Sequence, residues 1–183
     1  MADADSNLWA AERVASLLVA NGVIAVVIGG VALAAHRYVR HTEDIDLGVD
    51  ADLPKMRVLA AVLRAEGFVV EFYEPDGDDP LGGVIDVSGP FGLVQVVSFA
   101  NRFPAVIRDA LAGDDVRIRP GSALRLVPLA QLVALKLYAG GLRSKSDIVE
   151  LLRRNPDADL ETIRGTCKRY RLRGLDRILE ELG

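Results

Sequence analysis

The sequence predicts an α/β (α+β) protein, a mixed sheet flanked by helices with a helical C-terminal part, and three observations lead there. Helical and strand-like periodicities alternate through residue 127, and from Pro128 onward the pattern is helical alone. The 183 residues are 50% hydrophobic and 26% charged, which suits one domain or two small ones and excludes a disordered or fibrous chain. The boundaries that follow are an α/β core over 1–127 and a helical part over 128–183 packed on it.

Along the chain, Leu8, Ala11, Ala15, Leu18 and Val19 recur at helical spacing, and Asn21-Gly22 supplies the stop. The apolar, β-branched run 23–28 ends in Gly29-Gly30 and reads as a strand buried on both faces, with an Ala-rich helix over 31–38 behind it. Residues 44–50 alternate acid and apolar side chains, so Asp44, Asp46 and Asp50 share one strand face and Ile45, Leu47 and Val49 the other. Pro54 sits in the first turn of a helix whose stripe is Met56, Leu59, Ala60 and Leu63, stopped at Gly67. A strand over 69–73 precedes a loop over 74–83 that carries four acids, two prolines and three glycines. Runs 84–88 and 93–99 form a hairpin about Gly89-Pro90-Phe91-Gly92, then 105–111 reads as a short helix and 116–126 as extended. The tail pattern gives helices over 129–138, 146–153, 160–170 and 172–182.

The residues before Asn7 carry Asp3 and Asp5 where a secretory leader carries Lys or Arg, and the longest apolar stretch, 23–35, is broken by Gly29-Gly30. A cytoplasmic protein with no membrane partner is therefore expected. The lone Cys167 excludes an internal disulfide or a multi-cysteine zinc site, and two histidines exclude a His-rich cluster. The net charge of −4 averages two unlike halves: residues 1–90 hold 15 acids and 6 bases, and residues 91–183 hold 11 and 16. The basic run Arg164, Lys168, Arg169, Arg171 and Arg173 has no acid among it and suits an RNA backbone such as a tRNA acceptor arm. A solvated face balanced by Glu161, Asp176, Glu180 and Glu181 is the plainer alternative.

Two carboxylates two residues apart on a strand lie about 6 to 7 Å apart along the chain. That spacing lets Asp44 and Asp46 share a pair of Mg²⁺ ions, which would offset their mutual repulsion. Asp-x-Asp alone is a loose pattern. Gly29-Gly30, between a buried strand and a helix, lets a phosphate approach backbone N–H groups where a Cβ would obstruct it. A tight turn that needs glycine for its dihedrals explains the pair equally well in isolation, and the combination is the specific signal.

The run 28–36, Ile-Gly-Gly-Val-Ala-Leu-Ala-Ala-His, with 40–47, Arg-His-Thr-Glu-Asp-Ile-Asp-Leu, resembles the core signature of the nucleotidyltransferase superfamily. It looks most like the AbiEii-type nucleotidyltransferase toxins and their bacterial relatives, and the Lys136-bearing segment 128–139 followed by Ser146-Asp147-Ile148 extends the likeness. The resemblance implies Mg²⁺-dependent transfer of a nucleoside monophosphate from an NTP to an acceptor hydroxyl, on tRNA or protein, with a cognate antitoxin as a further partner. It implies that Asp44 and Asp46 hold metal, that Gly29 and Gly30 contact triphosphate, and that Lys136 brings positive charge to phosphate. Arg40 and Thr42 fall in the same substrate-binding run, while His36 reads as a packed, hydrogen-bonded helix residue.

The pattern departs from the family in two places. Val31 stands where Ser or Thr commonly follows the glycines, and Gln95 stands where a third metal carboxylate is commonly found. Asp86 is the candidate replacement, since a hairpin turning about Pro90-Phe91 sets it directly opposite Gln95 on one sheet face, and a polar residue on an exposed face is the plainer alternative. Two other readings stay open, a catalytically impaired nucleotide-binding or regulatory protein on the same fold, and a nucleotidyltransferase acting on a small molecule such as an antibiotic.

Overall fold

A computed structural model describes residues 4–76, 81–101 and 103–181. Its elements run α1 (Ala4–Ala20), β1 (Val26–Ile28), α2 (Gly29–Ala35), β2 (Asp44–Val49), α3 (Leu53–Ala65), β3 (Val69–Tyr73), β4 (Val84–Gly89), β5 (Gly92–Ser98), α4 (Pro104–Ala112), β6 (Arg125–Leu126), α5 (Leu129–Ala139), α6 (Gly141–Arg154), α7 (Leu160–Arg169) and α8 (Leu175–Glu180). The mixed α/β architecture expected from the sequence is the one observed.

The six strands form one sheet in the order β3-β4-β5-β2-β1-β6. β2 runs parallel to β5 and β1 parallel to β6, and the remaining neighbours are antiparallel. Ile45, Leu47, Ile85, Val87, Val94 and Val96 are buried on one sheet face, where Leu18, Met56 and Leu63 of α1 and α3 also belong to the core. The opposite face carries Asp44, Asp46, Asp86 and Gln95, none of them fully buried. The alternation read from the sequence thus sorts the sheet into a packed side and a chemically equipped side. β3, at one edge of the sheet, keeps Val69, Glu71 and Tyr73 exposed.

Several boundaries differ from the sequence reading, each for a hydrogen-bonding reason. The run 23–28 yields a strand only at Val26–Ile28, because those residues alone pair with Gly48, Leu47 and Asp46, while the Val23 N–H still caps α1 through Leu18 O at 2.9 Å. α2 starts at the glycines themselves and ends at Ala35, where Arg37 turns to φ 66° and Tyr38 N–H returns to Leu33 O. The stretch 116–126 folds back on itself around Gly121, leaving only Arg125 and Leu126 in the sheet and Arg117 bridged to Arg125. α6 begins well before residue 146, because Gly140 and Gly141, with φ 67° and 77°, turn the chain and start the next helix at once. A similar turn at Gly174, φ 99°, confines α8 to Leu175–Glu180. The expected loop over 74–83 falls partly outside the described residues.

Candidate functional site

Asp44 and Asp46 rise from the same face of β2, flanked by Ile45 and Leu47 that anchor the strand in the core. The Gly29-Gly30 turn closes directly on them. A Cβ on Gly29, whose φ is +64°, would lie 1.7 Å from Asp46 Oδ2, and one on Gly30 would lie 2.6 Å from Thr42 Cβ. Both positions therefore require glycine by close approach, and Gly29 by backbone conformation as well. Gly30 N–H donates to the Asp46 carboxylate, and Thr42 Oγ1 donates to Asp44 Oδ1. The segment before β2 is held by α1, where buried Asn7 donates to Glu43 O at 3.2 Å.

Burial and then the neighbouring Asp44 charge push the Asp46 carboxyl up to about 6, against the downward pull of Lys136, Arg40 and the Gly30 amide. The two cations thus act on the carboxylate pair from separate elements. Arg40 approaches from the connection ahead of β2, and its Nε and Nη1 are buried with no hydrogen-bond partner among the described residues. Lys136 comes from α5, with its Nζ 2.8 Å from Asp147 Oδ2 of α6. Asp147 is 2% exposed, and its Oδ2 has the ion pair without an aligned hydrogen bond. Sequence reasoning left Asp147 out of the site. The signal was present: Asp147, Leu151 and Ile148 lie on one face of a helix that buries both leucine and isoleucine.

The hairpin register places Asp86 opposite Gln95, and Gln95 opposite Asp46. Gln95 Nε2 donates to Asp86 Oδ1 at 2.8 Å. With strands about 4.8 Å apart, Asp86 stands roughly 10 Å from Asp46 across the sheet, and Gln95 lies between them. The structure thus brings Asp44, Asp46, Gly29, Gly30, Thr42, Arg40 and Lys136 together and leaves Asp86 one strand further out. Among the described residues, no group of three or more His, Cys, Asp or Glu side chains is placed to hold one metal ion. Val31 packs partly buried against the core, and His36 caps α2 with Nε2 2.8 Å from Val127 O.

Cavities open on both sides of the carboxylates. One, of about 570 Å³, shares Gly29 and Lys136 with the site and is walled by Phe99, Leu132, Leu135 and Tyr138. The other, of about 410 Å³, is lined by Thr42, Asp44, Leu93 and Arg143. In the basic tail, Arg164 pairs with Glu161 and Asp176, and Arg169 pairs with Asp109. Lys168, Arg171 and Arg173 line a cleft of about 840 Å³ with Arg164. No helix among the described residues is long and apolar enough to cross a membrane.

No family model and no curated protein matches the chain. Solved structures do. The antibiotic nucleotidyltransferase ANT(2")-Ia, in complex with adenylyl-2"-tobramycin, superposes with a TM-score of 0.57 at 14% identity over 90% of this chain and 96% of its own. An antigenic nucleotidyltransferase-like protein from Paracoccidioides brasiliensis gives 0.56 at 16% identity over 92% and 88%. The Megavirus polyadenylate synthase gives 0.52 at 12% identity, over 81% of this chain and 32% of the viral enzyme. With the carboxylate strand, the glycine turn and the sheet order already placed, these likenesses show that the chain has the nucleotidyltransferase fold.

Proposed function

We propose that this protein transfers a nucleoside monophosphate from an NTP to an acceptor hydroxyl, using Mg²⁺ held by Asp44 and Asp46. One observation carries the reading: Asp46 of the half-buried carboxylate pair meets Gly29, and Thr42, which holds Asp44, meets Gly30, so closely that no Cβ fits at either glycine. The donor set fits the metal. Hard carboxylate oxygens suit Mg²⁺, and Asp46, raised to about 6 by burial and by Asp44, carries a charge that Lys136, Arg40 and the Gly30 amide offset only in part. When bound, the ions supply Lewis-acid activation of the acceptor hydroxyl and stabilise charge on the departing pyrophosphate.

In this reading Gly29 and Gly30 give the triphosphate a surface free of side chains. Lys136, fixed by Asp147, and Arg40, whose buried donors are unmatched within the protein, offer positive charge to phosphate oxygens. Thr42 orients Asp44 by its hydrogen bond. Asp86, the candidate third metal carboxylate, stands one strand beyond Gln95 and accepts a hydrogen bond from it.

A radiolabelled NTP, Mg²⁺ and a panel of acceptors test this directly. Asp44→Asn and Asp46→Asn are each expected to abolish label transfer, and transfer retained in either variant would falsify the metal assignment. The finer reading, an AbiEii-type toxin acting on tRNA or a protein hydroxyl and restrained by an antitoxin, predicts growth arrest on expression. Antibiotic modification predicts drug resistance without growth arrest. Lys168, Arg171 and Arg173 in the tail cleft support the RNA acceptor, and RNA binding through them is expected to weaken steeply with salt.

A second reading has its own observation. Gln95 is the neighbour of Asp46 on β5, and its amide nitrogen is tied to Asp86, so the side chain beside the carboxylate pair is neutral. A protein that binds NTP with Mg²⁺ but turns over none of the acceptors would fit that arrangement.

A further inference from the structure

The cavity of about 570 Å³ that opens beside Gly29 and Lys136 falls in the size range of small-molecule pockets, about 300 to 1,000 Å³. Its walls are Ile28, Leu81, Val97, Phe99, Leu132, Leu135 and Ala139, with Lys136 and Tyr138 the polar side chains among the lining residues. Lys136 is committed to its ion pair with Asp147, and the Tyr138 hydroxyl, able to donate or accept alike, does not by itself select one base edge over another. The Tyr138 ring is packed against Phe103 with centroids 4.6 Å apart. Phosphate lies at the Gly29 and Lys136 end in the function proposed above, on which this inference rests, so a flat apolar group continuous with the phosphates is what the remaining walls would enclose.

We infer that this cavity holds the nucleobase of the NTP by packing and not by hydrogen bonding to its edges, so that the protein accepts purine and pyrimidine nucleotides alike. The physical basis is an asymmetry in recognition. A site built to hydrogen-bond a substrate group rejects an analogue lacking it by about 10⁴-fold or more, whereas an apolar wall separates ligands of similar shape by roughly 10- to 200-fold. Phe99, 6% exposed, and Leu132, fully buried, are rigid parts of the core, which makes the walls preformed. Ala139, at the exposed end of α5, is the wall position where added bulk would enter the cavity with least disturbance to packing.

Competition binding with Mg²⁺ tests this with ATP, GTP, CTP, UTP and inorganic tripolyphosphate as probes. The four nucleotides are expected to bind within about 100-fold of one another, with tripolyphosphate weaker than all of them. Ala139→Trp is expected to weaken all four by about ten-fold or more while leaving tripolyphosphate unchanged. Leu135→Phe provides a second, smaller filling, and circular dichroism of both variants verifies that they fold. A preference of about 1,000-fold for one base, or nucleotide affinity unchanged in both folded variants, would overturn the inference while leaving the phosphate site intact. Failure of every nucleotide and of tripolyphosphate to bind would instead overturn the underlying function, and the inference with it.

Discussion

The carboxyl of Asp46 holds its proton more tightly in the folded protein than in the unfolded chain, moving from 3.8 to about 6 through burial first and the Asp44 charge second. Because the folded value is the higher one, stability is lost as pH rises from about 4 through about 6 and is not regained at neutral pH. Asp46→Asn is therefore expected to be more stable than the parent at pH 7.5 in a chelating buffer, by up to about 3 kcal/mol, with the gap closing near pH 4. Added Mg²⁺ is expected to raise the parent and not the variant. An unchanged melting profile across that pH range would contradict the burial of an uncompensated charge. Asp44, Asp46 and the two glycines were legible in the sequence because strand alternation and backbone freedom are properties of adjacent residues. The pairing of Asp86 with Gln95 was legible for a related reason, since a short turn fixes the register of a hairpin. Asp147 was not singled out, because its importance comes from a contact across a helix junction with Lys136.

At the scale of elements, α5 and α6 carry the two halves of one ion pair and are separated only by Gly140. Asp147 is almost wholly inside, and Lys136 is largely so, with 2% and 16% of their side chains exposed. Removing one partner of such a pair leaves the other charge buried without an opposite, at a cost of about 3 kcal/mol or more. Asp147→Ala is expected to lower the unfolding free energy by that amount, read by urea titration, while Asp147→Glu restores part of it. Equal stability of the alanine variant would mean that Lys136 finds water or another acceptor. The sequence does not mark the start of α6, because after the glycines only the exposed Leu142 is apolar and no apolar stripe begins until Ile148. The extent of β1 was misjudged for the opposite reason. Val23, Ala25 and Val26 are all buried, but burial alone does not distinguish a residue with a ladder partner from one that caps a helix.

Over the whole molecule, the C-terminal helices and the sheet domain share one continuous hydrophobic cluster, from Ala10 in α1 to Ile178 in α8. Polar ties reinforce it. Asn155 donates to His36 O at 2.8 Å, Arg37 meets Asp157 at 2.9 Å, and Tyr170 Oη donates to Asp109 Oδ2 at 2.7 Å. The first two join the segment after α2 to the C-terminal helices, and Arg119 on Glu12 and Arg108 on Asp50 set bases of the second half on acids of the first, so the two halves seen in the sequence do not remain separate in space. The fold class was readable from the order of patterns, but the apolar cavity beside Gly29 arises where α5 packs beside the ends of β1 and β5, and no local window contains that information.

β3 ends the sheet with one side of its backbone unpaired by another strand among the described residues. Its sequence, Val-Val-Glu-Phe-Tyr, would make an adhesive ribbon were it not for the acid at its centre. Glu71 is exposed and accepts a hydrogen bond from Tyr73 Oη at 2.5 Å, which keeps a charge fixed over the strand where a second chain would have to dock. Colloidal behaviour thus hinges on a residue outside the site. Glu71→Val is expected to leave nucleotide binding intact and to convert the protein into one that self-associates with rising concentration, as followed by sedimentation velocity. A variant whose sedimentation matches the parent's at every concentration would show that the twist of the sheet alone protects this edge.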